Sequence, residues 1–480
     1  MKIKRLSFVI CASLLVMSAF PACSLFKKEA GPDVIFIIID TLRADRLHGT
    51  RNGLPLMPNL EALAKESISF TEAYSQETFT KPSVASILTS LYPEVHGVRF
   101  GIFAQKQVGT NAGQSSELYV DVLSPQLPSL PTIMKDKGYT TVGVQTNMQL
   151  HEESGFNNGF DQYDYLGHVS ASEVNELAFA ALENVDGPLF LYVHYMDPHL
   201  PHRPPRDVIS IFGTPPKPSD EDMELLENFR EYYSDLVMYG AGLKEERETE
   251  LLGDAGRDFM RFMYDCEVRY TDREVAALID AARERNPDSL IVVVSDHGEE
   301  LWEHGSFGHT KTAYRELAHI PFIISAPDLE PMVVETPVES IDVAPTIAAY
   351  LDIPIPDSFQ GRNLLPLVSE DTDSEPVAVY TTAYGIQPWD KIHWQTTFFQ
   401  EYRLVRNLST NTTELFNIVD DPYEQHCLAE ENAVRISELQ EMLEAFLEAN
   451  QRYLWRVQSV DKVKSSEETV EALRALGYIH

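Results

Sequence analysis

The sequence predicts an α/β fold with a mostly parallel central sheet flanked by helices, and a small C-terminal α+β subdomain. Two patterns predict it. Apolar runs of five to seven residues recur between residues 34 and 325, with helix-like segments between them. Shorter strand-like runs follow a change to polar composition near residue 371. The chain has 480 residues, 44% of them hydrophobic, which suffices for a large buried core.

Residues 1–22 are predicted to be a signal peptide. Three basic residues precede the uncharged run Leu6–Phe20, whose 15 residues are fewer than the ~20 of a membrane-spanning helix. The following Pro-Ala-Cys resembles a bacterial lipobox, so Cys23 is the expected lipidation site, with simple cleavage as the alternative. We therefore expect a lipoprotein of the bacterial cell envelope that faces the periplasm or the outside. Ser24 favours the outer membrane.

The main domain is predicted to span residues 33–370. Its sheet is predicted from runs apolar enough to be buried on both faces, as strands of a parallel sheet are. These runs are Val34–Ile39, Thr140–Gln145, Leu189–Tyr195, Leu290–Val294 and Ile320–Ser325, and helices are predicted at Ala171–Val185 and Phe259–Arg283. Three polar, proline-rich or acidic stretches, residues 105–129, 204–218 and 220–254, are interpreted as surface excursions.

The small subdomain is predicted over residues 371–455, followed by a tail at 456–480. It contains alternating runs that predict strands and one helix-like segment. The strands are predicted at Val377–Thr382, Trp394–Phe399, Tyr402–Asn407 and Thr413–Ile418, and the helix at Val434–Ala449.

Charge and cysteine content exclude some functions. The chain has 74 acidic and 38 basic residues, a net charge of −36, so a nucleic-acid partner is not expected. Cys266 and Cys427 are the two cysteines beyond Cys23, too few for a disulfide framework. Whether they pair is left open.

Candidate chemistry lies where predicted strands end. Asp40 directly follows the first apolar run. Asp296-His297 follows the run that ends at Val294, with Ser295 between them. Ligands of open α/β sheets bind at the carboxyl ends of the strands. Carboxylate and imidazole groups at that edge are suited to one metal ion.

Thr80 is the candidate nucleophile. Pro82 is favoured in the first turn of a helix, which places Thr80 just before that turn. A hydroxyl at this place lies near exposed backbone N–H groups and the positive end of the helix, which favour an alkoxide and a bound anion.

An ordered series of motifs resembles the sulfatase family of the alkaline phosphatase superfamily. The series runs from about residue 33 to 430, and its order makes it specific although each motif alone is weak. It comprises Asp40-Thr-Leu-Arg-Ala-Asp45, Thr80-Lys-Pro-Ser83, Leu88-Thr-Ser-Leu-Tyr-Pro93, Asn147 with Gly159-Phe-Asp-Gln-Tyr163, His194-Tyr-Met-Asp-Pro-His199, Ser295-Asp-His-Gly-Glu299, Gly308-His309, Ile341-Asp342 and Asp421-Pro-Tyr-Glu424.

The nucleophile motif departs from that family. Sulfatases carry Cys or Ser within Cys/Ser-x-Pro-x-Arg and convert it to formylglycine, whereas Thr80 and Val84 stand here at the first and last positions. The resemblance therefore shifts towards superfamily members that use an unmodified threonine, namely phosphodiesterases and phospho-group transferases.

The resemblance implies one divalent metal ion, with Ca, Mg or Mn favoured over Zn by the carboxylates. Its implied ligands are Asp40, Thr80, Asp296 and His297. By contrast, His194 and His202 are interpreted as surface residues or residues behind the ligands.

The resemblance also implies the groups that contact the substrate. His199 and His309 correspond to anion contacts or to the acid that protonates the leaving group. His309 stands where many sulfatases have a lysine, Lys311 is a nearby substitute, and Lys81 is placed to face the anion.

The sequence thus predicts an exported metal-dependent hydrolase of small or polymeric sulfuric or phosphoric esters, with threonine favouring phosphoester or phosphodiester chemistry. Its membrane contact is expected through the lipid anchor alone. The alternatives are a sulfatase that acts without formylglycine, an envelope phospho-group transferase, and a lipid-anchored binding protein without catalysis. The natural substrate and the oligomeric state are not fixed by the sequence.

Overall fold

The computed structural model describes residues 31–101, 103–105, 117–227, 251–368, 376–386, 391–453 and 462–464. Its strands are β1 (Val34–Ile39), β2 (Thr50–Arg51), β3 (Leu54–Pro55), β4 (Ile68–Tyr74), β5 (Phe103–Gln105), β6 (Glu117–Asp121), β7 (Thr140–Gln145), β8 (Gln162–Tyr165), β9 (Leu189–Tyr195), β10 (Leu290–Ser295), β11 (Glu300–Leu301), β12 (Phe307–Gly308), β13 (His319–Ser325), β14 (Met332–Val334), β15 (Val338–Glu339), β16 (Val379–Ala383), β17 (Trp394–Phe399), β18 (Tyr402–Asn407), β19 (Thr412–Asn417) and β20 (Lys462–Lys464).

Helices connect and cover these strands. They are α1 (Ala44–Leu47), α2 (Pro58–Lys65), α3 (Thr80–Thr89), α4 (Pro93–His96), α5 (Leu130–Lys137), α6 (Ala171–Asn184), α7 (Arg206–Phe212), α8 (Asp254–Arg285), α9 (Arg315–Ala318), α10 (Val343–Tyr350) and α11 (Ala433–Tyr453). Short 3-10 turns occur at Met148–Leu150, Glu152–Ser154, Ser340–Asp342 and Leu365–Val368. Among the described residues, no helix is both long and apolar enough to cross a membrane.

A nine-stranded sheet forms the centre of the fold, in the order β14-β4-β13-β10-β1-β9-β7-β8, with β15 also paired to β4. The four strands β10, β1, β9 and β7 are parallel neighbours, and β13 runs antiparallel to both β10 and β4. The carboxyl ends of the four parallel strands therefore lie side by side at one edge.

The first strand shows why the sheet is buried on both faces. Successive side chains of a strand point to opposite faces, and Ile35, Ile37 and Ile39 belong to a core with residues of α2, α6 and α8. Val34, Phe36 and Ile38 belong to a second core with residues of α3, α5 and α10. All six side chains have no exposed surface, so a continuous apolar run is required here.

The C-terminal part adds a four-stranded antiparallel sheet in the order β16-β17-β18-β19, with α11 packed against it. Leu404 and Leu415 of the sheet share a small core with Leu439 of the helix. The predicted fold class, a mostly parallel sheet with helices and a small C-terminal α+β subdomain, is confirmed.

Some segments differ from the sequence-based expectation. Residues 105–129 were expected to be a turn-rich excursion, but they include β6, which pairs with β5 and β20. Strands β4 and β8 were not predicted, because each mixes polar and apolar residues. In the described part, Cys266 is a buried free thiol and Cys427 an exposed one. The predicted signal peptide, Cys23 and the tail beyond β20 lie outside the described residues.

His304 joins the main sheet region to the C-terminal subdomain. Its Nδ1 lies 2.7 Å from Glu316 Oε1, and its Nε2 lies 3.0 Å from the backbone oxygen of Glu424. The ring also stacks on Tyr314, with 3.6 Å between centroids. Both ring nitrogens are directed at oxygen acceptors, an arrangement that an imidazolium satisfies completely. Arg403 of the subdomain adds to this joint, since its guanidinium donates to the Ala313 carbonyl of the main region and is held by a 2.7 Å ion pair with Glu424.

We expect this joint to weaken at alkaline pH. Burial alone would lower the pKa of His304, but the hydrogen bond and charge of Glu316 outweigh burial and raise this pKa to about 9. The stabilisation is therefore fully present below the unfolded pKa of about 6.5 and is lost as pH rises through about 9. Denaturant unfolding should show about 2 kcal/mol less stability at pH 9.5 than at pH 7. His304→Gln should remove most of that difference, and an equal decline in both proteins would contradict the assignment.

Candidate active site

The candidate site lies at the carboxyl ends of the parallel strands. Asp40 follows β1, Asp296 follows β10, His194 is the sixth residue of β9, and Asn147 lies two residues beyond β7. The register pairs Ile39 with both Ser295 and Tyr195, so these strands end at the same level. Parallel pairing thus brings together side chains that are more than 250 residues apart in the sequence.

Two buried carboxylates form the base of the site. Asp40 and Asp296 have no exposed surface. Asp296 Oδ1 accepts hydrogen bonds from the backbone of Thr41 (3.2 Å) and His297 (2.9 Å), whereas Asp40 Oδ1 and Asp296 Oδ2 lack a hydrogen-bond donor among the described atoms. Burial, and then the charge of Asp296, raise the pKa of Asp40 well above its usual value. Such a pair is costly in a protein interior unless a cation neutralises it.

Two imidazoles complete this cluster. His297 Nδ1 lies 2.9 Å from the Gly298 carbonyl and therefore carries hydrogen, which leaves the lone pair of Nε2 for a ligand. Burial lowers the pKa of His297, which keeps the ring neutral as metal binding requires. His194 Nε2 lies 3.7 Å from Asp40 Oδ2 and 4.0 Å from Asp296 Oδ2. His194 and His202 are both buried, which excludes the surface alternative for each of them.

Thr80 is brought to the same cluster. Its Oγ1 lies 3.4 Å from Asp40 Oδ2, 3.3 Å from His297 Nε2 and 3.4 Å from Asn147 Nδ2. Thr80 is the first residue of α3 and Phe79 is the N-cap, so the hydroxyl lies inside the first turn rather than before it as predicted. The Ser83 hydroxyl donates to the Asp296 carbonyl at 2.7 Å, which fixes this helix end to the end of β10.

Asn147 is a site residue that the sequence analysis included in the motif series without assigning it a role. Its Nδ2 donates to Asp40 Oδ2 at 2.9 Å, and its Oδ1 accepts from the backbone N–H of Gln149 at 2.9 Å. The second bond fixes the amide orientation, so the NH₂ group is directed at Asp40 and Thr80. A polar residue just after a buried strand was the available signal.

The predicted substrate-contacting histidines lie beside this cluster. The His309 ring centroid is 4.6 Å from that of His297 and 4.9 Å from that of His199. His199 is buried, with Nδ1 at 2.6 Å from the Leu200 carbonyl. Lys311 follows two residues beyond His309 and is half-buried.

Lys81 stays a predicted anion contact that the structure does not test. It is fully buried, which lowers its pKa to about 8, against the opposing charge of Asp121. Its Nζ has no hydrogen-bond partner among the described atoms, so the structure does not connect it to Thr80. Val84, at the position of the arginine in the formylglycine motif, is also fully buried.

A second group of potential ligands, Glu300, His304 and Glu316, lies outside this site. Glu300 already accepts from the backbone of Ser306 (2.9 Å) and from its hydroxyl (2.8 Å). Both ring nitrogens of His304 already have hydrogen-bond partners, Glu316 and the Glu424 carbonyl. Glu316 Oε1 bonds to His304, whereas its Oε2 has no hydrogen-bond partner among the described atoms. Because Glu300 and both ring nitrogens of His304 already have protein partners, we assign this group a structural role.

Comparisons with known proteins identify relatives of this chain. The sulfatase family model matches residues 32–353, and a model described as N-sulphoglucosamine sulphohydrolase, C-terminal, matches residues 302–452. An uncharacterised sulfatase of Escherichia coli (strain K12), YidJ, is 25% identical over 447 residues, which cover 83% of each chain.

Two solved structures share the fold. A phosphonate monoester hydrolase from Silicibacter pomeroyi has a TM-score of 0.65 at 22% identity, with coverage of 90% of this chain and 99% of that one. BT4656, solved with D-glucosamine-2-N,6-O-disulfate, has a TM-score of 0.66 at 18% identity, with the same coverage. At such identities the likeness concerns the fold alone.

Proposed function

The chain belongs to the sulfatase family, and from this premise we propose that it is an exported, metal-dependent ester hydrolase in which unmodified Thr80 is the nucleophile. Phosphoric esters, and phosphodiesters in particular, are the proposed substrates. One observation carries the proposal: Thr80 Oγ1 lies within 3.4 Å of Asp40, His297 and Asn147 at the start of a helix.

The donor set fits a divalent cation. Asp40 Oδ1 and Asp296 Oδ2 are buried and without donors among the described atoms, and His297 presents a neutral Nε2 beside them. We propose that Asp40, Asp296, His297 and Thr80 hold the ion, with His194 next to them. When bound, a divalent cation supplies positive charge for an anionic ester and favours ionisation of a hydroxyl group. The two imidazoles weaken the preference for Ca, Mg or Mn, so Zn belongs in any test.

The proposed reaction transfers the phosphoryl group in two steps, first to Thr80 and then to water. Thr80 Oγ1 forms a bond to phosphorus while the bond from phosphorus to the leaving-group oxygen breaks. The hydroxyl proton has an acceptor at Asp40 Oδ2, 3.4 Å away, because the single lone pair of His297 Nε2 is the one proposed to bind the ion. His199 or His309 contacts the anion or gives a proton to the departing alcohol. Water then attacks phosphorus and the bond from phosphorus to Thr80 Oγ1 breaks, which releases a phosphate monoester from a diester substrate. The threonine oxygen regains a proton, and Asp40 Oδ2 is placed to return it.

The threonine favours phosphate over sulfate. A formylglycine hydrate releases sulfate by elimination through its second hydroxyl, and Thr80 has a single hydroxyl. A phosphorylated threonine needs no second hydroxyl, because water or an alcohol attacks phosphorus directly. Attack by an alcohol would make the protein a transferase, which is the alternative outcome.

Soluble protein lacking residues 1–23 should hydrolyse aryl phosphodiesters or phosphonate monoesters faster than aryl sulfates, with Mg, Mn, Ca or Zn added in turn after chelation. Fastest turnover of the aryl sulfate would instead identify a sulfatase without formylglycine. Product that appears only with an added alcohol would identify a transferase. No turnover together with no bound metal would leave a binding protein of the same fold.

We also propose that the protein is anchored by a lipid at Cys23 in the bacterial envelope. The basic start, the short apolar run and the lipobox-like residues support this location.

A further inference from the structure

A hairpin places Glu299 opposite His309. Strands β11 and β12 pair Glu300 with Gly308 and Leu301 with Phe307. The next pair of this antiparallel register, one residue outward on each side, is Glu299 with His309. Gly308 has a φ of +98°, a conformation that suits glycine and turns the chain so that His309 lies against the site.

Glu299 and His309 are joined by a defined hydrogen bond. His309 Nδ1 lies 3.0 Å from Glu299 Oε1. Glu299 has no exposed surface, and its Oε2 has no hydrogen-bond partner among the described atoms. A carboxylate accepts hydrogen bonds, so the ring nitrogen donates and Nδ1 carries hydrogen. The remaining nitrogen, Nε2, is therefore the one available to a substrate.

From this geometry we infer that Glu299 is a positioning residue, which fixes the tautomer and ring orientation of His309 so that Nε2 contacts the ester. The inference rests on the proposed function, in which His309 is a substrate contact. The His309 side chain is 10% exposed, and its ring centroid lies 4.6 Å from that of His297 and 4.9 Å from that of His199, so it borders the nucleophile cluster and still contacts solvent.

The need for such a partner follows from the residue at position 309. A lysine directs three equivalent donors from a flexible stem, and its ammonium needs no choice of tautomer. An imidazole has two distinct nitrogens, and the hydrogen bond at one decides what the other offers. Carboxylate partners of this kind hold catalytic and metal-binding histidines in other enzymes, where their loss reduces activity or affinity about 10- to 100-fold or more.

The experiment uses the metal-loaded soluble protein with Mg²⁺ or Zn²⁺ and four variants: Glu299→Gln, Glu300→Gln, His309→Gln and the double variant Glu299→Gln/His309→Gln. Glu300 is the matched control, since it is a buried glutamate of the same hairpin whose partners include Ser306 rather than His309. Nitrogen-15 NMR of labelled histidines, with the His309 signals identified from His309→Gln, reports which ring nitrogen carries hydrogen.

We expect Nδ1 of His309 to carry hydrogen in the wild type and in Glu300→Gln, and to lose that preference in Glu299→Gln. In the same variant, kcat/KM for an aryl phosphodiester should fall ~100-fold, with little further fall when His309→Gln is added. An unchanged tautomer, or additive losses in the double variant, would overturn the inference. So would weakened metal binding without a tautomer change. If the wild type hydrolyses no ester, the proposed function fails, and the NMR comparison still decides the role of Glu299.

Discussion

Thr80→Ala is expected to reduce kcat by about 10³-fold or more, while the protein keeps its fold and still binds the ion through the three remaining proposed ligands, Asp40, Asp296 and His297. The alanine removes the oxygen that lies closest to Asp40, His297 and Asn147 together, but it leaves the buried carboxylates in place. Alanine is a good helix former, so its cost to the first turn of α3 is small. Steady-state kinetics and metal content measured on the same preparation check both parts of this expectation.

Three comparisons make the result specific to the hydroxyl. Thr80→Ser keeps the oxygen and should retain measurable turnover. Thr89→Ala, at the other end of the same helix, removes a buried hydroxyl that donates to Ala85 O at 2.6 Å, and should leave kcat nearly unchanged. Rapid acid quenching of the wild type should yield a peptide phosphorylated on Thr80. Full activity of Thr80→Ala would rule out the nucleophile assignment.

The strands were predictable where burial dictates composition. β1, β7, β9, β17 and β18 have the predicted bounds, because strands covered on both faces or alternating at a half-buried surface leave a strong pattern. By contrast, β4 reads Ile-Ser-Phe-Thr-Glu-Ala-Tyr, and its pairing partners β13, β14 and β15 come from more than 240 residues later in the sequence. No local pattern reports such distant pairing.

The site was predictable at the ends of strands and less so elsewhere. Asp40 and Asp296 were recognised because a charge that interrupts an apolar run is conspicuous. His194 lies within the run of β9, where its register opposite Ile38 places it beside Asp40 and Asp296. Asn147 and Glu299 gain their roles through a hydrogen bond to Asp40 and a hairpin register, respectively. Such roles depend on which segments of the chain contact each other. Those contacts are determined by the fold as a whole and not by a local sequence pattern.

The two buried carboxylates, Asp40 and Asp296, are expected to destabilise the folded protein when no cation is bound and to support catalysis when one is. Asp40 and Asp296 each have an oxygen without a donor among the described atoms, and neither side chain is exposed. Without a cation, two buried like charges destabilise the folded protein. With a cation, the same charges supply the binding energy for the ion.

Asp40→Asn should therefore raise the unfolding temperature in chelator by roughly 2–4 °C and reduce kcat in added metal by about 10³-fold. The amide occupies nearly the same volume, removes one charge, and still accepts from Asn147 Nδ2, which donates to Asp40 at 2.9 Å in the wild type. Differential scanning fluorimetry in EDTA and in saturating metal measures the first effect, and kinetics the second. The metal-induced rise in unfolding temperature should also shrink, because the variant binds the ion less tightly.

Asp45→Asn is the matched control. Asp45 lies five residues further along the chain and is surrounded by positive charges, whereas Asp40 lies beside a second negative charge. Although burial opposes it, the charges of Arg43 and Arg46 lower the pKa of Asp45 to about 2, and Asp45 forms 2.9 Å ion pairs with both arginines. Its substitution should lower the unfolding temperature equally in EDTA and in metal. If Asp40→Asn behaved in the same way, Asp40 would be a structural carboxylate whose partners outweigh its burial, and the assignment of a cation to this cluster would be wrong.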